Sequence, residues 1–435
     1  MRHPSFRLSA LALLALPSLA LSAEADWVRP YADIDSGDTA WILVSALLVL
    51  FMTLPGLALF YAGMVRKKNI LATMLQSFAV AALVAVLWMV IGYSLAFTAN
   101  NPFIGGLDRF MLNGLNVWQA NQTLTIYPGA ATIPESVFMV FQMAFAIISA
   151  AIITGAFAER MKFAALLWFT AAWLLLVYAP TAHWVWEGGG WLAKHGVLDF
   201  AGGTVVHINA GMAGLVGAIL LGRRLGYGKE SFAPANLSLA LMGTAMLWIG
   251  WFGFNAGSAF AANAIAGMAM LNTQVAAAMG ALAWLACEKI ARHKPSALGF
   301  ASGALSGLVG ITPAAGFVGP QGALAIGALT AVACFWSVTQ LKIWLRYDDA
   351  LDAFGIHGIG GIVGALLTAL FFNSDLSSLE ASVLTQLIGV LVTVGYSAVV
   401  SLIILVLIDK TIGLRVNDQD ERQGLDISLH GERIE

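Results

Sequence analysis

Residues 198–222 read LDFAGGTVVHINAGMAGLVGAILLG. From Gly202 onward the run carries no formal charge over about 20 residues, the length an α-helix needs to cross a hydrocarbon core of about 30 Å. Asp199 stands just ahead of it. A carboxylate there suits a helix N-cap that accepts the amides of Gly202, Gly203 or Thr204; direct binding of a cation is the competing reading. His207 falls inside the run, and an ionisable side chain within a membrane is costly enough to mark a functional position. Its plainer reading is a ring bonded to a backbone carbonyl.

The same pattern returns at 357–367, HGIGGIVGALL. Both stretches place glycines four and seven residues after a histidine, Gly211 and Gly214 after His207, Gly361 and Gly364 after His357. Small residues also let membrane helices pack closely, so spacing alone does not make a repeat. Position adds weight: eleven apolar windows can be drawn, at 39–63, 70–97, 135–158, 163–183, 202–222, 236–256, 266–290, 297–315, 321–345, 354–373 and 383–409, and the two stretches occupy the fifth and tenth. Two halves of five helices must then be inverted relative to each other, an architecture that puts a transport path at the repeat interface. The expected fold class is an all-α integral membrane protein of eleven transmembrane helices, a five-plus-five inverted repeat with one extra helix.

Composition agrees. Of 435 residues, 59% are hydrophobic and 11% charged, too few charges to solvate the surface of a soluble enzyme. The net charge of −2 and the lack of a basic block exclude nucleic acid as an expected partner. Cys287 and Cys334 sit in apolar runs and read as buried thiols. No P-loop, HExxH or GxSxG motif occurs, which argues against a pump, a metal site or an enzyme; no cofactor is expected.

Arg2 and Arg7 precede the apolar LSALALLALPSLALSA, which reads as a signal peptide over 1–23. The mature chain then starts outside. Arg66, Lys67, Lys68, Arg160, Lys162, Arg223 and Arg224 fall on alternate loops with most of the later basic residues, whereas Arg29, Arg109 and Lys194 fall on the opposite side. By the positive-inside rule the N-terminus is outside and the C-terminus in the cytoplasm of a multi-pass inner (cytoplasmic) membrane protein. The membrane domain is 24–409, and the polar segment 410–435 is a candidate regulatory tail.

Five histidines, His183 among them, fall in the leader, near helix ends or in polar segments. His207 and His357 alone lie well inside spans. Inverted halves would bring their rings together near the pseudo-axis, sharing a proton between facing nitrogens; such a pair stays neutral and lines a narrow path for a small polar molecule. Aromatic faces attract a cation without a formal charge. Candidates near the outer face are Trp184 and Trp186 in AHWVWEGGGW, Phe141 and Phe145 in FQMAF, and Phe254 with Ser258 in GWFGFNAGS. Singly, each is also an ordinary interfacial or packing aromatic.

Taken together, these residues resemble the ammonium transporter (Amt/Mep/Rh) family, and within it the bacterial Amt branch. The resemblance is carried by LVLFMTLPGLALFYAGMVRKKN (48–69), GAFAER (155–160), AHWVWEGGGW (182–191), LDFAGGTVVHINAG (198–211), IGWFGFNAGS (249–258), GLVGITPAAGFVG (307–319), FGIHGIGGIVG (354–364) and the tail pieces GLRV, GLD and HGE. It implies a homotrimer whose protomers each enclose a pore. Trp186, Phe141 and Ser258 match the outer recruitment site; Phe145 and Phe254 match the stacked phenyl gate. His207 and His357 match the twin pore histidines, and Asp199 matches the aspartate that organises recruitment through backbone contacts. Phe60 and Trp251 fall where pore-wall aromatics are expected. The implied substrate is ammonium, conducted as ammonia with a relayed proton and with methylammonium as surrogate, in the service of nitrogen utilisation. The tail resembles the segment met by a PII-type signal protein.

Three positions depart from the family pattern: Glu187 in the recruitment loop, Ala350 after Asp348 and Asp349, and Asn417 in the tail. Competing functions are an electroneutral ammonia channel, an ammonium sensor, which would want an appended signalling domain, and a sodium-coupled transporter, which would want converging oxygens at mid-membrane.

Overall fold

The computed structural model describes residues 27–434, so the leader expected over 1–23 lies outside the described residues. In chain order the helices are α1 Ser36–Met64, α2 Lys67–Phe97, α3 Glu135–Phe157, α4 Phe163–Lys194, α5 Gly203–Leu221, α6 Leu237–Gly257, α7 Ala264–Arg292, α8 Ala297–Ile311, α9 Pro320–Leu345, α10 Phe354–Leu370 and α11 Val383–Thr411. Among the described residues nine are long and apolar enough to cross a membrane. The shorter α8 and α10 stand where the sequence placed its eighth and tenth windows.

Local chemistry sets where these helices start. The side chains of Asp35, Asn236, Asn263 and Ser296 accept the amides of Asp38, Leu239, Ala266 and Gly299 at 2.8, 3.1, 3.0 and 2.9 Å, satisfying donors that the first helical turn leaves open. Pro55 lies inside α1, within a π-helical turn over Met52–Leu57. A proline has no N–H to give, and the wider turn absorbs the missing bond without ending the helix.

The middle of the bundle is α5, packed against α3, α10 and α11. The approach of α5 to α10 is backbone to backbone: a Cβ on Gly211 would stand 2.3 Å from the Gly358 nitrogen. Only glycine permits that distance. The small antiparallel sheet, strands Val28–Pro30, Thr123–Thr125 and Val117–Trp118 with the second in the centre, closes the loop between α2 and α3. Arg109 in that loop is buried against Glu135 at 2.8 Å.

At the opposite end a charged network binds the loops together. Glu159 accepts the Arg66 amide at 2.8 Å, Asn69 Nδ2 at 2.9 Å and Arg224 at 3.1 Å, while Asp348 accepts the Arg224 amide at 2.8 Å and its guanidinium at 2.8 and 2.9 Å. The tail folds back onto this layer. Val416 donates to Arg160 O at 3.0 Å, Glu421 accepts the Leu225 amide at 2.7 Å and pairs with Arg415 at 2.7 Å, and Asp426 accepts the Ala72 amide at 2.8 Å.

Asn417 finds its reason here. Its side chain caps the short helix Asp418–Gln423 by accepting the Asp420 amide at 2.8 Å. Asn417→Ala is expected to weaken that turn by about 1 kcal/mol, read as faster amide hydrogen exchange over 418–424 with the membrane helices unchanged; equal exchange would rule the cap out.

Candidate functional site

Three phenylalanines on α3, Phe138, Phe141 and Phe145, share one helical face because residues three, four and seven apart superpose. Opposite them Phe254 ends α6, and Ser258 follows with its hydroxyl donating to Phe254 O at 2.9 Å. Trp186, at the end of the helical stretch Ala179–Trp186 of α4, is fixed by its indole N–H on Asp199 O at 3.0 Å.

Together these elements wall a cavity in which Trp186, Ser258, Phe145, Tyr127, Phe138, Gln142 and Phe260 face one space. Phe141 does not line it. That ring is fully buried, 4.8 Å from Phe145 and 5.9 Å from Phe260 between centroids, so it supports the wall from behind. Phe260 takes the inner surface instead. Trp184 also turns away, donating to Phe103 O at 2.7 Å and packing on Tyr396.

The cavity ends on two stacked rings. Phe145 and Phe254 lie 4.2 Å apart at 15°, an arrangement with no polar atom in it. Directly beyond, the His207 ring stacks on Trp251 (5.4 Å, 23°) and lies 5.9 Å from Phe254. Its Nδ1 faces His357 Nδ1 at 3.2 Å. Two like nitrogens at that distance bond only if one carries the proton and the other a lone pair, so the pair holds a single shared hydrogen. His207 Nε2 has no hydrogen-bond partner among the described residues.

Past the histidines lies a narrow apolar cavity lined by His357, Phe60, Trp251, Met52, Leu57, Ile148, Ile152, Leu247 and Leu305. The expected wall residues Phe60 and Trp251 are both there. Trp251 is held by its indole N–H on Thr312 Oγ1 at 2.9 Å.

Asp199 lies behind this path rather than in it. Its Oδ1 accepts Gly202 N and Gly203 N at 2.8 and 2.6 Å; its Oδ2 accepts Thr204 N and Val205 N at 2.9 and 3.1 Å and also the Thr204 hydroxyl. An acceptor so filled has little left for a cation, and the N-cap reading describes the geometry. A parallel feature was missed: Asp349 also stands eight residues before its histidine, His357, and accepts Phe354 N at 2.7 Å. Each histidine lies in a short π-helical turn, Gly203–Ile208 and Phe354–Gly358.

His183, expected near a helix end, stands in the last turn of the helical stretch Ala179–Trp186. α4 runs on past its expected end, and His183 is buried within it, its Nδ1 3.0 Å from Ala96 O and its Nε2 2.8 Å from Asn101 O. Both ring nitrogens face backbone carbonyls, to one of which the neutral ring donates its N–H, which marks it as a structural tie. Among the described residues no group of three or more His, Cys, Asp or Glu side chains is placed to hold a metal ion.

This arrangement defines a polytopic membrane protein with an aromatic-walled cavity, a stacked phenyl pair at its floor and an apolar cavity bordered by two facing histidines. The chain belongs to the Ammonium Transporter Family, whose model matches residues 40–434. It is 46% identical over 410 residues to an ammonium transporter of Bacillus subtilis, covering 91% of this chain and 98% of that one, and 47% identical over 410 residues to an ammonium transporter of Aquifex aeolicus, covering 92% and 94%. Among solved structures it resembles Candida albicans Mep2 (TM-score 0.83, 34% identity, 89% and 88% covered) and a protein titled Sensor Amt Protein (TM-score 0.82, 29% identity, 91% and 98% covered).

Proposed function

We propose that this protein takes up ammonium across the cytoplasmic membrane by binding the ion in the outer vestibule, removing its proton, and conducting ammonia with a relayed proton past the two histidines. The observation that carries this reading is the facing His207 and His357 nitrogens at 3.2 Å, set in an apolar path beyond a closed pair of rings. A bare ammonium ion there would meet a large desolvation cost. Neutral ammonia avoids most of it, and one shared hydrogen between the rings gives a proton a route. Potassium carries the same charge but has no proton to surrender, so it stops at the vestibule.

In this reading Trp186 and Ser258 bind the ion by ring face and hydroxyl, Phe141 braces the wall, Phe145 and Phe254 gate the path, and Asp199 fixes the turn that holds His207. Net movement of ammonia plus a proton is electrogenic. The protein acts as a homotrimer with its N-terminus outside, and its tail of residues 410–435 forms the cytoplasmic face on which a PII-type signal protein docks. Methylammonium serves as a poor surrogate substrate.

The test is current across a solid-supported membrane bearing purified protein, after jumps of ammonium and, as control, potassium. An ammonium-specific current supports the reading. Internal alkalinisation without current would make the protein an electroneutral ammonia channel, and binding with neither would make it a sensor. In the same assay Trp186→Leu is expected to raise the half-saturating ammonium concentration about threefold to tenfold, the worth of one partly desolvated cation–π contact, with the maximal current retained. An unchanged concentration dependence would remove Trp186 from the binding site.

A further inference from the structure

The walls of the outer vestibule carry no formal charge. Asp199 is not among the wall residues, and its oxygens are taken up by four backbone amides and a hydroxyl, so it offers a cation no open acceptor. The residue between Trp186 and Gly188, both wall residues, is Glu187.

Its carboxylate is held in place. Glu187 Oε2 accepts the Gly189 amide at 2.6 Å, and its carbonyl accepts the Gly190 amide at 2.9 Å, a tight turn that folds the acid back on its own loop. A side chain at Gly189 would meet that oxygen at 2.7 Å, so the glycine leaves it room. Glu187 forms no ion pair among the described residues. Lys194, Glu380 and Asp199 line a neighbouring cavity that Gly188 also borders.

The field of this carboxylate reaches the vestibule. Tyr127, a wall residue outside the membrane-spanning helices, has its hydroxyl held well above the ordinary tyrosine value, by burial first and by the charge of Glu187 second. A fixed negative charge beside an apolar-walled cleft concentrates cations at its mouth, since the low-dielectric walls focus the field.

We infer that Glu187 is an affinity-determining residue of the outer site, which attracts monovalent cations such as ammonium and methylammonium to the vestibule before the aromatic faces and Ser258 select among them. This rests on the reading that ammonium enters through that vestibule. Because the attraction is Coulombic, it does not distinguish ammonium from potassium. It fades as salt shortens the screening length from about 30 Å at 0.01 M to about 3 Å at 1 M.

The test is Glu187→Gln, which keeps an oxygen for the Gly189 amide and removes the charge. Full-length wild type and variant are reconstituted, and half-saturating ammonium is read from the jump current at about 10 mM and about 1 M ionic strength, adjusted with N-methylglucamine chloride. The variant is expected to need about twofold to fivefold more ammonium at low salt, to match wild type at high salt, and to keep its maximal current at both. Equal half-saturation at low salt overturns the inference. So does a difference that survives undiminished at high salt, which would make Glu187 a turn residue. If wild type gives no ammonium-specific current, the transport reading has failed on its own; methylammonium binding by calorimetry, with the same variant and the same two salts, then decides the role of Glu187 separately.

Discussion

Replacing His207 with alanine is expected to abolish the ammonium-specific current, a loss of about a hundredfold or more if the ring serves as a proton acceptor and donor. The geometry gives the reason. His207 is the ring that touches Phe254 on one side and faces His357 on the other, so it links the constriction to the inner path. Its removal leaves the His357 nitrogen without its partner and opens space where the indole of Trp251 now stacks on an imidazole. A current that persists in the variant should therefore pass potassium as readily as ammonium, because a wetted gap admits any small cation. Jump currents with both ions, on protein shown by size-exclusion to keep its assembly, make the comparison. A normal, ammonium-selective current would falsify the relay.

The second large effect concerns stability. Arg224, 8% exposed, joins Glu159 at 3.1 Å and Asp348 at 2.8 Å. Removing one member of such a buried group strands charges that cannot be resolvated, at a cost of about 3–5 kcal/mol. Arg224→Met is expected to lower the melting temperature in detergent accordingly. The pH dependence carries a sign. Burial alone would raise both carboxyls, but Arg224, with Arg66 at Glu159 and Arg160 at Asp348, holds them below the usual carboxylate range. A carboxyl whose folded pKa lies below its unfolded one contributes stability at neutral pH and loses it as pH falls through the acid range. The gap between wild type and Arg224→Met should thus be wide at pH 7 and narrow below about pH 4. Equal melting at pH 7 would show that the network does not depend on Arg224.

Much of this was legible in the sequence because membrane helices announce themselves. An apolar run with a capping residue ahead of it predicts both existence and start; the glycines four residues after His207 and His357 are where α5 and α10 pack closely, whereas Gly214 and Gly364 face Ala156 and Gly310. His207 and Asp199 stood out because each sets one ionisable group in or beside an apolar run, whereas Phe145 and Phe254 were two aromatics among many, singled out by the family resemblance. What escaped was direction. Phe138, Phe141 and Phe145 are equally phenylalanine and share one face, and only packing decides that Phe260 displaces Phe141 from the vestibule surface. Leu247, Ile148 and Ile152 could not be told from lipid-facing residues, since a pore wall and a membrane face ask for the same apolarity. The burial of His183 was not legible because its ring ties reach Ala96 and Asn101, far away in the chain. Asp349 was within reach: its eight-residue spacing to His357 repeats that of Asp199 to His207.

The contact between Gly211 and Gly358 bears on how such a path keeps its width. Side chains elsewhere in the bundle can hop between rotamers, but two backbones in direct contact have nothing to rearrange. The histidine pair is therefore mounted on a joint without play, and the spacing of its nitrogens is set by the main chain. A fixed bore at this point would let the scaffold, rather than the arriving ion, set the width of the proposed path.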